Sequence, residues 1–407
     1  MLEGDPTVPG VIKLLSAAQL RDRDFQNILL IKLSALGDVV QTLPVINALH
    51  ARYPKARIDW LVAAEFAELL ADHPAIGGLI PFERSDWSAP WRAAPYVGAA
   101  RLIATLRAAH YDLVIDLQGQ LRSAVFAFAS GAPVRIGFDR PRKDRWSALK
   151  RSIPEEAKKH AWQGAREGSW LAYTHHLPLP TLDLHPVDRY RGVAALLGIA
   201  ETAPDFFFPV PVPAVTRIEA LLEYYDIGKD TPLVAMAPGT NWDTKAWRAD
   251  GFAEVARHFL GKGTAVVLIG APAERALCEE VAKLAQGAID LAGETTLPEL
   301  AALIRRATLC LSNDSGPLHL AVALGRPAIG LYGPTDPVWA GPYRRNDAVL
   351  RVELACSPCY LRRLADCPND HACMNTLPAA KVIAVADAMI AKSPARGRTP
   401  AAQPGAR

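Results

Sequence analysis

The chain has 407 residues, of which 50% are hydrophobic and 21% charged, so it can bury sizeable cores and is not a disordered polymer. Its 45 Lys and Arg residues against 42 Asp and Glu residues leave a formal net charge of +3, which excludes a strongly basic nucleic-acid coat protein and an acidic tail protein. At roughly 150 residues per domain, this length predicts two or three domains.

Buried strands alternate with helices in the first half of the chain. Short apolar runs predict strands at residues 27–33, 58–62, 111–117 and 134–137, and helical spacing predicts helices at 39–49 and 121–129. This alternation is typical of a parallel sheet that is covered on both faces.

Proline-rich stretches at residues 175–186 and 202–213 follow, and proline resists both helix interiors and central strands. The alternation then restarts, with strands predicted at 233–237, 265–269, 309–312 and 328–331 and helices at 251–260, 274–284, 297–305, 318–324 and 379–391. We therefore predict a polar N-terminal extension at 1–24, doubly wound domains at 25–210 and 211–392, and a disordered tail at 393–407.

In doubly wound folds ligands bind beyond the carboxyl ends of the strands, here in the expected cleft between the domains. We therefore expect the functional residues in the loops that follow the predicted strands. Gly37 lets the loop after the first strand turn tightly and approach a ligand. Asp38 begins a helix, whose dipole favours an ionised carboxylate that can accept a proton. Plain helix capping is the alternative role of Asp38.

Three junctions in the second half suit a bound nucleotide. The loop at 238–241 can cradle a phosphate and Lys245 can neutralise it, although a solvated turn with a surface lysine fits the same residues. The amides of the helix turn at 315–317 form an anion site, and His319 lies one turn further along, where a structural histidine is also common. Glu274 can accept hydrogen bonds from ribose hydroxyls or merely favour a helix start.

Several common signatures are absent from the sequence. It contains no G-x-G-x-x-G after the first strand, no G-x-x-x-x-G-K-[ST] and no G-x-S-x-G, which disfavours a nicotinamide dehydrogenase, a P-loop NTPase and an α/β-hydrolase elbow. No apolar run reaches the ~18 residues of a transmembrane helix, and no basic region leads into an apolar core near residue 1. We expect a cytoplasmic protein.

Taken together, the junctions resemble glycosyltransferase family 9, which contains the bacterial lipopolysaccharide heptosyltransferases. The matching motifs are K-L-S-A-L-G-D-V-V-Q-T-L-P (32–44), D-L-Q-G (116–119), A-P-G-T (237–240) with Lys245, N-D-S-G-P-L-H (313–319) and Y-G-P-T-D-P (332–337). The resemblance runs from about residue 27 to 392. It implies a GT-B fold, an α/β architecture of two Rossmann-like doubly wound domains facing across a cleft. The first domain would bind the acceptor and the second the nucleotide sugar, with the last helix returning to the first domain.

The resemblance also implies an activity. The chain would be an inverting glycosyltransferase that moves heptose from ADP-L-glycero-D-manno-heptose to the inner core of lipopolysaccharide, where Kdo on lipid A or a first heptose accepts it. A transferase or epimerase for another nucleotide sugar, and a non-catalytic nucleotide-sugar-binding protein of envelope assembly, are the alternatives. We expect no metal or other cofactor, no nucleic-acid partner, and peripheral contact with the cytoplasmic face of the inner membrane.

Roles are carried over by position. Asp38 matches the catalytic base. Positions matching donor contacts are Thr240, Asn241, Lys245, Glu274, Thr295, Asp314, Ser315, Gly316 and His319, with Asn241 and Ser315 standing where some relatives have Thr. We assign the acceptor to Ser34, Gly37, Gln118, Gly119, Arg140, Arg142 and Arg145. The arginines belong to a basic stretch at 135–151, which suits a polyanionic acceptor or anionic lipid and also fits a solvated loop.

Four of the six cysteines form a cluster in the sequence C-x2-C-x7-C-x5-C, namely Cys356, Cys359, Cys367 and Cys373. Four thiols at this spacing can hold one tetrahedral zinc ion, although the second pair is more widely spaced than usual, and paired or free thiols are the alternative. We assign no residue to a catalytic metal.

Overall fold

The computed structural model describes residues 15–83, 93–141, 164–181 and 184–392. The chain forms two compact units, and the boundary between them in the described residues lies between Pro209 and Val210. Within the described ranges, each unit contains one six-stranded sheet. None of the described helices is both long and apolar enough to cross a bilayer.

The first unit has a sheet in the order β3-β2-β1-β4-β5-β6, and every neighbouring pair is parallel. The chain therefore builds the sheet in one direction from β1 and then reverses at β4. Its elements are α1 (Ala17–Asp22), β1 (Asn27–Ile31), α2 (Leu36–Arg52), β2 (Arg57–Ala63), α3 (Ala64–Leu70), β3 (Gly78–Phe82), α4 (Ala93–Ala108), β4 (Leu113–Asp116), α5 (Leu121–Ala129), β5 (Val134–Gly137), β6 (His175–His176) and α6 (Pro186–Leu197).

Strands β1 and β4 lie side by side at the centre of this sheet. Their sequences, NILLI and LVID, are apolar without alternation because both faces are covered, and nearly every residue is buried. In their register Ile31 pairs with Asp116. The loops that leave the two strands are therefore adjacent, at the point where the strand order reverses, which is where doubly wound folds bind ligands.

The second unit repeats the same strand order, β12-β11-β10-β7-β8-β9, with all pairs parallel. The reversal lies between β7 and β10, so the loops after these two strands are adjacent in turn. The elements are α7 (Val212–Tyr224), β7 (Leu233–Ala237), α8 (Ala249–Leu260), β8 (Ala265–Leu268), α9 (Arg275–Leu284), β9 (Ile289–Asp290), α10 (Leu297–Arg306), β10 (Leu309–Asn313), α11 (Gly316–Ala323), β11 (Ala328–Tyr332), α12 (Pro337–Ala340), β12 (Val349–Arg351), α13 (Ala372–Asn375) and α14 (Ala379–Lys392).

The final helix packs on the second unit. Val382 and Ala386 of α14 are fully buried in the same apolar core as the sheet and α8. Asp387 of α14 accepts a hydrogen bond of 2.8 Å from Lys262 and lies 3.0 Å from His258 Nε2. The return of this helix to the first domain stays a prediction.

The prolines do not exclude regular structure from the middle of the chain. Pro186 stands at the start of α6, and α7 begins with a proline in its first turn. Proline is tolerated there because the first amides of a helix have no intrahelical acceptor. His175–His176 adds a short strand to the edge of the first sheet. These positions are compatible with the expectation that proline resists helix interiors and central strands, because the prolines stand in first helical turns and β6 is an edge strand.

The N-terminal extension predicted at residues 1–24 contains a folded element. Ser16 caps α1, with its Oγ accepting from the Gln19 amide at 3.3 Å, and Leu20 is fully buried. The packed structure of the first unit thus includes residues that the sequence pattern assigned to the extension. The pattern missed this helix because one buried leucine is too weak a periodic signal. Residues 1–14 and the predicted tail at 393–407 lie outside the described residues.

Candidate active site

Asp38 lies in the first turn of α2, directly after β1 and the connecting loop. Its Oδ2 accepts a hydrogen bond of 3.2 Å from the amide of Ala35, which precedes the helix. The Asp38 side chain is 39% exposed, so a ligand can reach it. The carboxylate is thus fixed by the backbone on one side and open to solvent on another.

Two side chains hold the other carboxylate oxygen. The hydroxyl of Tyr190, on α6, donates a hydrogen bond of 2.7 Å to Asp38 Oδ1. The ammonium of Lys32 lies 3.5 Å from the same oxygen and donates to the Tyr190 hydroxyl at 2.9 Å and to the Leu117 carbonyl at 3.1 Å. Lys32 is only 5% exposed, and a lysine this deeply buried needs such partners.

These contacts set the charge of Asp38. Burial raises the pKa of its carboxyl, but the charge of Lys32, the Tyr190 hydroxyl and the Ala35 amide outweigh this effect, and the pKa lies below its ordinary value. Burial lowers the pKa of Lys32, and Asp38 offsets only part of that shift. Burial, followed by the charge of Asp38, raises the pKa of Tyr190 well above its ordinary value. Asp38 is therefore ionised at neutral pH.

Asp116 ends β4 and organises the loop that follows it. Its Oδ1 accepts hydrogen bonds from the amides of Gln118 (2.8 Å) and Gly119 (3.2 Å), and its Oδ2 accepts from the Tyr173 hydroxyl (2.8 Å). Gly119 has a φ of +67°, and a Cβ there would lie 2.8 Å from the Phe138 ring, so the turn requires glycine. Burial raises the pKa of Asp116.

Gln118 ties this loop to the one before Asp38. Its Oε1 accepts from the amides of Leu33 (3.1 Å) and Ser34 (3.3 Å). The predicted acceptor residues Ser34, Gly37, Gln118 and Gly119 are therefore brought together at the carboxyl ends of β1 and β4.

The predicted arginines are less closely tied to this site. Arg140 is exposed, and its Nε lies 3.9 Å from Asp139 Oδ1. An exposed pair at this distance contributes little to stability. Arg142 and Arg145 lie outside the described residues. The assignment of these arginines to the acceptor remains a prediction.

In the second unit, Lys245 and Asp314 form a largely buried ion pair. Lys245 is the last residue of a short 3₁₀ turn at Asp243–Lys245, which follows β7. Its Nζ lies 2.7 Å from Oδ2 of Asp314, the residue that follows β10. The Thr335 hydroxyl donates to the same oxygen at 2.7 Å. The Lys245 ammonium also lies 4.4 Å from the ring centre of Trp242. Asp314 thus holds Lys245 in place, and Lys245 supplies a cation at the reversal point of the second sheet.

Asn313 joins the two loops through the backbone. Its Nδ2 donates to the Pro238 carbonyl at 2.6 Å, and its Oδ1 accepts from the Trp247 amide at 3.1 Å. Asn313 is fully buried. The residues between these two anchor points, which include Thr240, Asn241 and Lys245, are therefore fixed relative to β10.

Helix α11 presents its amino end beside this ion pair. Ser315 precedes it, and its hydroxyl lies 2.9 Å from that of Ser312. The amides of Gly316 and Leu318 belong to the first turn, where helices leave donors free for an anion. The expectation that residues 315–317 all supply amides was wrong for Pro317, because proline carries no N–H. His319 is buried one turn into the helix.

Glu274 lies against the loop after β7. A Cβ on Gly239 would fall 2.0 Å from the Glu274 carboxyl carbon, so the glycine is what allows this approach. Glu274 Oε2 also accepts from the Ala271 amide at 2.7 Å. The loop that carries Thr295 is tied to the Glu274 loop, because the Gly293 amide donates to the Gly270 carbonyl at 2.8 Å. The loops that carry the predicted donor residues Glu274 and Thr295 are thus connected to each other, and Glu274 also contacts the loop after β7.

The cysteine cluster belongs to the second unit, next to the loop after β11. All six cysteines are free thiols. Burial raises the pKa of Cys359, and it raises that of Cys373 to about 11. In the part of the chain that the structure describes, no three His, Cys, Asp or Glu side chains are grouped so that they could hold a metal ion.

Sequence reasoning missed four residues of these sites. Lys32, Asn313 and Thr335 lie inside the quoted motifs but were not assigned as site residues. Tyr190 lies outside every motif, on α6. The signal for Lys32 was a lysine in a buried apolar run, which calls for a charged partner. The signal for α6 was apolar residues at 187, 190, 193 and 197 after a proline.

Comparisons with known proteins agree with this arrangement. The family model described as glycosyltransferase family 9 (heptosyltransferase) matches residues 99–367. Lipopolysaccharide heptosyltransferase 1 of Pseudomonas aeruginosa is 31% identical over 84% of this chain and 89% of its own length. A glycosyl transferase family 9 structure from Veillonella parvula has a TM-score of 0.71 at 21% identity, covering 91% of this chain and 98% of that chain. The Escherichia coli heptosyltransferase WaaC, solved with ADP-2-deoxy-2-fluoro heptose, has a TM-score of 0.64 at 25% identity, covering 89% and 99%.

The fold and the grouped residues are those of a glycosyltransferase with two Rossmann-like units, the GT-B class. The chain belongs to glycosyltransferase family 9.

Proposed function

We propose that this enzyme is an inverting glycosyltransferase that moves heptose from ADP-L-glycero-D-manno-heptose to the inner core of lipopolysaccharide, with Kdo or heptose as the acceptor. The observation that carries the proposal is the Asp38 carboxylate, kept ionised by Lys32 and Tyr190 yet 39% exposed at the reversal point of the first sheet. A group of this kind is suited to general-base catalysis. The names of the relatives support heptose as the sugar and lipopolysaccharide as the acceptor.

In the proposed reaction the first unit supplies the base. Asp38 accepts the proton of an acceptor hydroxyl as that oxygen forms a bond to the anomeric carbon of heptose. The bond from this carbon to the diphosphate oxygen breaks, and its electron pair leaves with ADP. A single displacement through an oxocarbenium-like state inverts the anomeric configuration.

The second unit supplies the groups for the donor. Lys245 and the amides of Gly316 and Leu318 stabilise the negative charge that develops on the diphosphate as it departs. Asp314 and Thr335 hold the Lys245 ammonium in position. Glu274 binds the ribose hydroxyls, and Thr295 lies by the adenine. Because these groups offset the leaving-group charge, we propose that transfer needs no metal ion.

The acceptor side of the proposal involves the loops of the first unit. Ser34, Gln118 and Gly119 lie on the hydrogen-bonded loops at the carboxyl ends of β1 and β4, beside the start of the Asp38 helix. The basic stretch that contains Arg140 is suited to the carboxylates and phosphates of a lipid A core. We propose that the enzyme works in the cytoplasm, in peripheral contact with the inner membrane that carries this acceptor.

A mass-spectrometric transfer assay tests the proposal. The purified enzyme is incubated with ADP-heptose or a panel of UDP-sugars, and with a lipid A core that either lacks heptose or carries the first one. We expect one heptose to be added to one of these cores from ADP-heptose, at the same rate after treatment with EDTA. Turnover of UDP-sugars alone would reject the proposal, and loss of the rate in EDTA would reject its metal-independent step.

A further inference from the structure

Helix α5 of the first unit presents an apolar face to solvent. Leu121, Val125 and Phe128 stand at positions i, i+4 and i+7 and are 50%, 47% and 62% exposed, and the neighbouring Leu171 is 81% exposed. The opposite face, with Ala124, Phe126 and Ala127, is buried in the core. Helix α5 is apolar on both faces, and the described part of the chain covers only one of them, which indicates a binding partner for the other.

We call the exposed side chains of α5 and of the 3₁₀ turn beside it the α5 patch (Leu121, Val125, Phe128 and Leu171). Arg135 connects its two parts, because its guanidinium lies 5.5 Å from the Phe128 ring centre and its Nε donates to the Ala172 carbonyl at 2.7 Å. At the other end of α5, the Leu121 amide donates to Glu167 at 3.2 Å. The 3₁₀ turn at Ser169–Ala172 therefore runs along the helix.

The charged side chains of helices α4 and α5 are all positive, although the Glu167 carboxylate lies at the amino end of α5. The sequences of α4 and α5 contain three arginines, Arg101, Arg107 and Arg122, and no Asp or Glu. All three are exposed. Arginine beside exposed apolar side chains is suited to a surface of anionic headgroups over acyl chains. A symmetric pairing of two copies would instead bring these arginines face to face.

The α5 patch starts beside the acceptor loops. Helix α5 begins one residue after Gln120, and Gln118 is hydrogen-bonded to the loop that leads to Asp38. We propose that the α5 patch docks this enzyme on a bilayer rich in anionic phospholipid. The proposal rests on the proposed function in one respect, namely that an acceptor anchored in a membrane gives such docking a purpose.

Vesicle sedimentation without donor or acceptor tests the docking directly. We expect the parent enzyme to sediment with vesicles of phosphatidylethanolamine and phosphatidylglycerol, and far less with vesicles of phosphatidylcholine alone. The variant Val125→Ser/Phe128→Ser/Leu171→Ser should bind the anionic vesicles about tenfold more weakly or worse, because three large apolar side chains lose their burial in lipid. Val212→Ser/Tyr224→Ser, which changes exposed apolar residues on α7, is the matched control and should bind like the parent.

Equal sedimentation of the triple variant and the parent would overturn the proposal. The proposal would also be overturned if the parent enzyme did not bind the vesicles but formed a dimer, and the triple variant did not form that dimer. The patch would then be a self-association surface. Transfer to an acyl-free, water-soluble core saccharide separates this proposal from the proposed function. The triple variant should keep the parental rate on that saccharide, whereas a parent without transfer to any core would contradict the function and leave the vesicle result standing.

Discussion

The hydroxyl of Tyr190 donates a hydrogen bond of 2.7 Å to Asp38 Oδ1 across 152 positions of the chain. Lys32 donates a hydrogen bond to the same hydroxyl. The tyrosine therefore links the buried lysine to the carboxylate and also donates its own hydrogen bond to it. This network keeps Asp38 ionised although the carboxyl is partly buried. An ionised carboxylate of low pKa is a modest base, so its position and its contact with the acceptor have to supply the rest of its effect.

Replacing Tyr190 by Phe should move the acid limb of the kcat/KM profile to higher pH. The hydrogen bond lowers the pKa of Asp38, and activity needs the ionised form, so the rate is present above this pKa and lost below it. Without the bond the pKa of Asp38 rises, because one of the interactions that favour its ionised form is lost. The measurement is the transfer rate between acidic and neutral pH in both enzymes.

Two further variants make the Tyr190 result specific. Lys32→Met should shift the acid limb in the same direction, since the lysine charge also lowers the pKa of Asp38. Tyr225→Phe, which removes a hydroxyl in the second unit, should leave the profile unchanged. An unshifted limb in Tyr190→Phe, with a folded protein by circular dichroism, would show that Tyr190 acts only on structure.

Replacing Lys245 by Met should lower kcat by about 10²–10³-fold, the usual cost of one electrostatic contact to a developing charge. It should also weaken ADP binding in calorimetry, because the cation is lost while the nearly buried Asp314 carboxylate stays.

The double variant Lys245→Met/Asp314→Asn tests the division of roles within the ion pair. If Asp314 serves to hold Lys245, the double variant should be no slower than Lys245→Met, and its thermal stability should be higher because no unpaired buried charge remains. A further large loss of kcat in the double variant would instead mean that Asp314 has its own contact with the donor.

Replacing Gly239 by Ala should weaken ADP binding by displacing Glu274. The added methyl would lie 2.0 Å from the Glu274 carboxyl carbon, so this side chain has to move away from its place at the loop. We expect a rise of about tenfold in the Kd for ADP, the scale of one lost hydrogen bond to a charged group. Gly228→Ala, where the methyl has ordinary contacts, should bind ADP as the parent does.

The sequence predicted the alternation of strands and helices well because parallel strands buried on both faces are continuous apolar runs. The strand at 134–137 coincides with β5, and 309–312 falls one residue short of β10. Two-residue strands such as Ile289–Asp290 carry no such signal. The motif loops were also predictable, because each follows a strand and contains glycine, hydroxyl and charged residues in a characteristic order.

The partners of the predicted residues could not be read from the chain. Nothing near Tyr190 in sequence indicates that its hydroxyl reaches Asp38, because that contact depends on how α6 packs against α2. Thr335 and Asp314 meet because β10 and β11 are neighbours, which only the strand order reveals. Local patterns thus identify the loops, and tertiary packing decides which side chains pair within them.

The most direct test of the account compares Asp38→Asn with the parent in the ADP-heptose transfer assay and in ADP-binding calorimetry. Asparagine keeps an oxygen for the Tyr190 hydroxyl but cannot take the acceptor proton, so transfer should fall by about 10²–10⁴-fold, while the Kd for ADP stays at the parental value. An Asp38→Asn enzyme that transfers heptose at the parental rate would contradict the assignment of Asp38 as the base.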